Sequence, residues 1–256
     1  MPFNGRFPNL YSIKHIIKQG IKTRGNNPFC TAVNMFSLTK NNPNPQLVKY
    51  LQKDLIKSVG FNGHMYTYSG GQTGGLLSKL KKIYYPDFEV KKRQYRRKSG
   101  KNKKGASTRS IGITIDKQLQ AYIKIGKKPK NVMAQALIEY LEKKCKHTLQ
   151  AAQVPTFIMG RITQADLITE DEKGNLYMFE VKSGYNQCKA QGTLKILNNV
   201  PNTIKNHWEL QRHFTHKGLV EGGLNVKASF VLNVYTEEGK GITVKRRKNP
   251  NWILTI

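Results

Sequence analysis

Apolar positions repeat along this chain at two spacings, and the change from one spacing to the other marks its elements. Repeats of three to four predict helices over residues 10–22, 44–58, 116–126, 131–147 and 204–215. The stripe is Leu47, Leu51 and Leu55 in the second. It is Leu119, Tyr122 and Ile123 in the third, and Met133, Leu137, Tyr140 and Leu141 in the fourth. Asn131 reads as a helix cap, and the Gly126-Lys-Lys-Pro129 sequence as a stop. Short β-branched runs predict strands over residues 111–115, 154–168, 176–182, 227–235 and 252–256. The Gly-rich stretch 69–75 reads as a flexible linker before a short basic helix. It lacks the Gly-Lys-Ser/Thr ending of a phosphate-binding loop, so no ATP site is expected there.

Two helices, paired strands, a helix and another strand follow one another from about residue 110. That order predicts an α/β fold, with a small central mixed sheet flanked by helices. Residues 91–104 carry nine Lys or Arg and cannot contribute to a core. The predicted division is therefore a basic, mainly helical N-terminal region (1–90), a basic linker or arm (91–109) and an α/β domain (110–256).

Charge narrows the partner. The 256 residues carry a formal net charge of +29 with a sequence pI near 10.1. Such a chain repels itself, and a polyanion relieves the repulsion through phosphate contacts and counterion release. DNA is the expected partner, gripped by Lys91, Lys92, Arg93, Arg96, Arg97 and Lys98 in the basic arm. Nothing reads a 2′-hydroxyl, so RNA stays open as a substrate, as does self-association into a homo-oligomer. No apolar run reaches 18 residues and no basic amphipathic helix stands out, so no membrane partner is expected. Three widely spaced cysteines argue against a disulfide framework and predict a reducing, intracellular setting. His213 and His216 read as phosphate contacts or surface residues rather than a metal pair.

The chemistry concentrates between Arg161 and Gly184. Alternation along 176–182 puts Leu176, Met178, Glu180 and Lys182 on one face and Tyr177, Phe179 and Val181 on the other. Asp166 lies on the preceding strand, across a charged turn at 170–175. Two carboxylates can hold a divalent ion through oxygen, and a neighbouring lysine can position water and steady a developing anion. The competing reading is a cross-strand ion pair on the surface. Glu-x-Lys also occurs at Glu89/Lys91, Glu142/Lys144 and Glu238/Lys240, but only Glu180 lies in an apolar strand with an Asp on a strand just upstream. Glu139 and Glu142 fall off the apolar stripe of their helix and are expected to face solvent.

Asp166 followed by Glu180-Val181-Lys182 resembles the PD-(D/E)XK nuclease superfamily. Gly112-Ile-Thr-Ile-Asp116-Lys-Gln-Leu119 is similar to the Gly-x-x-x-His-x-x-Leu helix start of its RecB-like branch, and Trp208-Glu-Leu-Gln211-Arg-His-Phe214 resembles that branch's glutamine motif. The resemblance covers about residues 110–236. Ala165 stands where the family has proline, Asp116 where the branch has histidine, and Thr215 where a tyrosine follows the glutamine. The resemblance implies a restriction-endonuclease-like core and a DNA nuclease dependent on Mg²⁺ or Mn²⁺. Asp166, Glu180 and Lys182 would be catalytic. Asp116, Asp166, Glu180 and the Val181 carbonyl would hold the metal, and Gln211 would contact DNA. For Asp116 a plain helix N-cap remains the alternative. A DNA-binding or packaging protein that keeps the fold without cutting is the alternative to the enzyme.

Overall fold

The computed structural model describes residues 36–61, 65–88, 108–183, 190–237 and 241–256. The predicted helix at 10–22, the arm residues Lys91 to Lys98, and the Glu89/Lys91 and Glu238/Lys240 pairs lie outside these residues.

A six-stranded mixed sheet forms the centre. Its strands are β1 (Ser37–Leu38), β5 (Thr148–Ile158), β6 (Arg161–Glu170), β7 (Leu176–Ser183), β8 (Val226–Glu237) and β9 (Gly241–Arg246), side by side in that order. All neighbours are antiparallel except β7 and β8, which run parallel. A parallel neighbour needs a crossover, and helix α6 (Ile204–Glu221) lies between the two strands in sequence. Strands β2 (Gly60–Phe61), β3 (Tyr66–Tyr68) and β4 (Gly71–Thr73) form a second small sheet.

Helices cover both faces of the large sheet. On one face Ile115, Leu119 and Ile123 of α4 (Thr108–Ile125) and Ala134, Leu137 and Ile138 of α5 (Val132–Glu139) pack on Leu167, Phe179, Leu232 and Val234. On the other, Leu47, Tyr50 and Leu51 of α1 (Pro45–Leu51) and Leu219 of α6 pack on Val154, Ala165, Ile168 and Met178. A third cluster joins α3 (Leu76–Tyr84) to α6 through Leu80, Tyr84, Leu210 and Phe214. Residues 36–88 therefore share the core of the following domain, and they contain strands as well as the expected helices.

Several sequence expectations are corrected. Residues 111–115 are helix, not strand. Ile111 and Ile115 turn to the sheet while Ile113 is left exposed, so burying one helical face outweighs the β-preference of alternating isoleucines. Residues 154–168 are two strands joined at Met159-Gly160. Both turn residues have positive φ (54° and 67°), as a two-residue hairpin turn requires. Residues 44–58 break after Leu51. Lys53 is non-helical, and the second piece, α2 (Asp54–Lys57), buries Ile56 and exposes Leu55. The stretch 69–75 is no plain linker. It supplies β4, Thr73 Oγ1 donates to the Gly160 carbonyl at 3.0 Å, and Gly75 bridges Ile162. Residues 252–255 belong to a 3₁₀ turn (Asn251–Thr255) after Pro250, with Ile253 buried and Ile256 just beyond it, instead of a strand.

Candidate functional site

The ladder between β6 and β7 runs from Glu170↔Leu176 to Leu167↔Phe179 and stops there. One residue further, Asp166 and Glu180 face each other without backbone pairing. The Asp166 side chain takes over, with Oδ2 accepting the Val181 N–H at 2.8 Å. A cavity of about 140 Å³ opens at this parting, lined by Gly112, Ile115, Asp116, Asp166, Glu180, Val181, Lys182, Ser183 and Gln211. Helix α4 reaches it from one face of the sheet and α6 from the other. Every residue proposed from the sequence as catalytic or metal-holding is on that lining, together with Gln211.

Glu180 is fully buried, and Lys182 is about one-fifth exposed. The Lys182 ammonium donates to Glu180 Oε1 at 2.6 Å and to Gln211 Oε1 at 3.0 Å. Gln211 is itself buried, so its carbonyl steers the lysine. Gln211 is held in turn by its helix. Glu209, also buried, accepts from Arg212 at 2.9 Å and from Arg247 at 3.0 Å, tying α6 to the segment after β9. Thr203 caps the helix by accepting the Asn206 N–H.

The carboxylates carry the electrostatic strain. Burial, then the charge of Asp166, pushes the Asp116 carboxyl up to about 7, with Lys182 opposing. Burial and Asp166 push Glu180 up to about 8, again against Lys182. Asp166 is raised by burial, against Lys182 and the hydrogen bonds it accepts. Lys182 stays firmly protonated, because Glu180 and Asp166 outweigh the desolvation of its ammonium. One ammonium thus faces three acids. Glu180 Oε2 is buried with no donor from another group against it, and the raised Glu180 carboxyl shares a proton with Asp166 instead. A buried carboxylate oxygen beside two further carboxylates suits a hard divalent cation. Among the described residues, however, no three His, Cys, Asp or Glu side chains are already gathered as a ligand set. Lys182 holds Glu180 Oε1 in this arrangement.

Asp116 is not a helix cap. Helix α4 begins at Thr108, which places Asp116 in its third turn, on the cavity lining beside Ile115. The helix-start reading depended on residues 111–115 being a strand. Val181 is on the lining, and its N–H is the group engaged with Asp166. His213 and His216 are half-buried, contrary to a surface role. His216 Nε2 lies 3.0 Å from the Val226 carbonyl, and burial pushes His213 down to about 4. Glu139 and Glu142 are exposed as expected. Cys145 is a half-buried free thiol, while Cys30 and Cys188 lie outside the described residues. Sequence reasoning missed Gln153, whose Nε2 donates to Asp166 Oδ1 at 3.3 Å. The predicted strand begins at Val154, so Gln153 falls just outside it, and only the full strand Thr148–Ile158 puts it beside Asp166.

A pH dependence follows from the raised carboxyls. Between their unfolded values (3.8 for Asp116, 4.5 for Glu180) and about 7 to 8, the folded chain holds protons that the unfolded chain has released. Stability then falls as pH rises through that window. Metal-free protein should melt at a higher temperature at about pH 5.5 than at about pH 8, and Asp116→Asn should narrow the difference. Thermal melts in EDTA read this directly; an Asn variant with the wild-type pH slope would remove Asp116 from the strained cluster.

No protein-family model matches the chain, and neither a curated protein nor a solved structure matches it. Among the described residues no helix is long and apolar enough to cross a membrane.

Proposed function

We propose that the protein is a divalent-metal-dependent DNA nuclease of the PD-(D/E)XK kind, working with Mg²⁺ or Mn²⁺. The observation that carries this reading is the lining of one cavity by Asp116, Asp166, Glu180, Lys182 and Gln211, drawn from four elements, with three carboxyls crowded together and only one ammonium among them. Asp166 and Glu180, with Asp116 and the Val181 carbonyl, would hold the ion. When bound, the ion supplies Lewis-acid stabilisation of a phosphoryl oxygen and makes a water more acidic. Lys182 does the chain's own part. Its ammonium is kept in place by Glu180 and Gln211, and from there it orients the attacking water and counters the charge that builds on the phosphate. Gln211 acts through Lys182 in this arrangement. The net charge of +29, including the run from Lys91 to Lys98, brings the DNA backbone to the site.

The second reading is a DNA-binding or packaging protein that keeps the fold and does not cut. The Lys182–Glu180 pair favours it, because that pair already neutralises one carboxylate. Incubation with linear, circular and branched DNA, and with RNA, in Mg²⁺, Mn²⁺ or EDTA separates the readings. Cleavage of DNA with either metal and none in EDTA is the expected result. Binding without cleavage in every metal would leave the packaging reading. Asp116→Asn adds a finer test. It should fold normally and need more Mg²⁺ for half-maximal cleavage, by about 10-fold or more; an unchanged Mg²⁺ midpoint would take Asp116 out of the ion's ligands.

A further inference from the structure

Gln153 is the one described residue other than glycine that has positive φ inside a strand, at 57°. Met159 has that geometry in a hairpin turn, and Asn42 and Lys146 lie between elements. A side chain in the left-handed region is energetically unfavourable, and such strain persists where the surroundings impose it, often at functional sites. The ladder marks the same spot. Ala152 pairs with Leu167 and Val154 with Ala165, while Gln153 and Asp166, which should pair between them, do not. What Gln153 has in exchange is a contact with Asp166. Its Nε2 donates to Oδ1 at 3.3 Å, and the Val181 N–H donates to Oδ2 at 2.8 Å. The two donors come from the strands on either side of β6 and reach the two oxygens separately. They fix the plane of the carboxylate, whose remaining acceptor capacity turns toward Glu180, its hydrogen-bond partner across the cavity.

We propose that Gln153 is a positioning residue, held in a strained strand conformation so that its amide orients Asp166 for a cation. The inference rests on the reading of Asp166 as a metal-holding carboxylate. Outer groups that orient ligands typically change metal affinity by about 10- to 100-fold when removed, so the effect belongs in metal binding, apart from turnover.

The test is thermal melting of the full chain in EDTA and across a Mn²⁺ titration, for wild type, Gln153→Gly and Gln153→Met. Binding to the folded state alone raises the melting temperature as the logarithm of one plus free metal over Kd, so the Mn²⁺ concentration that gives a fixed rise over the EDTA value tracks Kd without any cleavage assay. Gln153→Gly removes the donor and accepts positive φ without strain. It should melt in EDTA at or above the wild-type temperature, yet need about 10- to 100-fold more Mn²⁺ for the same rise. Gln153→Met keeps the length and the strain but not the donor, and should show the same shift in Mn²⁺ requirement. A merely structural glutamine would give the opposite pattern, a lower metal-free melting temperature with an unmoved Mn²⁺ requirement. Wild-type Mn²⁺ requirements in both variants would overturn the inference and leave the nuclease reading standing. A wild type that gains nothing from Mn²⁺ and cuts no DNA would overturn both.

Discussion

Lys182→Met should leave a folded, DNA-binding protein whose cleavage rate at saturating Mg²⁺ is lower by about 10²- to 10³-fold, the usual contribution of one positioned donor facing developing charge. Glu180→Gln should fall at least as far, since it removes a charge from the place where an ion would need it. Glu180→Gln keeps the length of the side chain and Lys182→Met shortens it by one atom, so neither opens a large hole beside the sheet. The metal-free stabilities should differ in sign. Glu180→Gln relieves repulsion with Asp166, which helps push the Glu180 carboxyl up to about 8, and it should melt no lower than wild type above neutral pH. Lys182→Met removes the one ammonium on the cavity lining and leaves its acids uncompensated, so it should melt lower, and more so as pH rises. Above about pH 8, where the Glu180 carboxyl is ionised without metal, Glu180→Gln should also bind DNA somewhat more tightly, because one negative charge near phosphate is gone. Single-turnover cleavage, melting curves and binding titrations on the same preparations check all three. Near-normal cleavage by either variant would move the chemistry away from this cavity.

Metal-free DNA binding should weaken by about 10³- to 10⁵-fold between 50 and 200 mM salt, for about 6–10 phosphate contacts. The reasoning is electrostatic. A chain with 44 Lys and Arg against 15 Asp and Glu meets a polyanion with a condensed counterion layer, and release of those ions dominates the free energy. Sequence preference should be weak, since phosphate contacts carry no base information. Neutralising Lys91, Lys92, Arg93, Arg96, Arg97 and Lys98 together should flatten the plot of log affinity against log salt by up to about five units, at about 0.9 per contact. The melting temperature should hardly move, because the run offers only Tyr95 to a core. Fluorescence anisotropy with two unrelated duplexes over a salt series measures both effects. A salt-insensitive or sequence-restricted interaction would count against an electrostatic grip.

The amino-acid sequence by itself determined the elements whose local signal agrees with their final surroundings. Helix α5 has its cap at Asn131 and its apolar stripe at Leu137, carried on by Leu141 in the π-helical turn that follows it (Tyr140–Lys144). Strand β7 has its alternation, which alone puts Glu180 and Lys182 on one side of the chain. The charged turn between Asp166 and Glu180 was enough to expect the two on adjacent strands, and the resemblance added Asp116 and Gln211 as members of the site. Tertiary structure decided the rest. Residues 111–115 look like a strand because β-branched residues alternate there. They are helix because Ile111 and Ile115 then bury against the sheet. Burying an aliphatic side chain stabilises by about 1.5–3 kcal/mol, whereas conformational preference spans about 1 kcal/mol. That choice moved Asp116 from a helix start into a cavity. Burial of Glu180 depends on α6 and α4 covering β7 from opposite faces, and Gln153 matters because β5 lies beside β6. Local periodicity carries no record of which strand will be a neighbour, so neither the depth of the acid cluster nor the donor behind Asp166 was legible before the sheet was assembled.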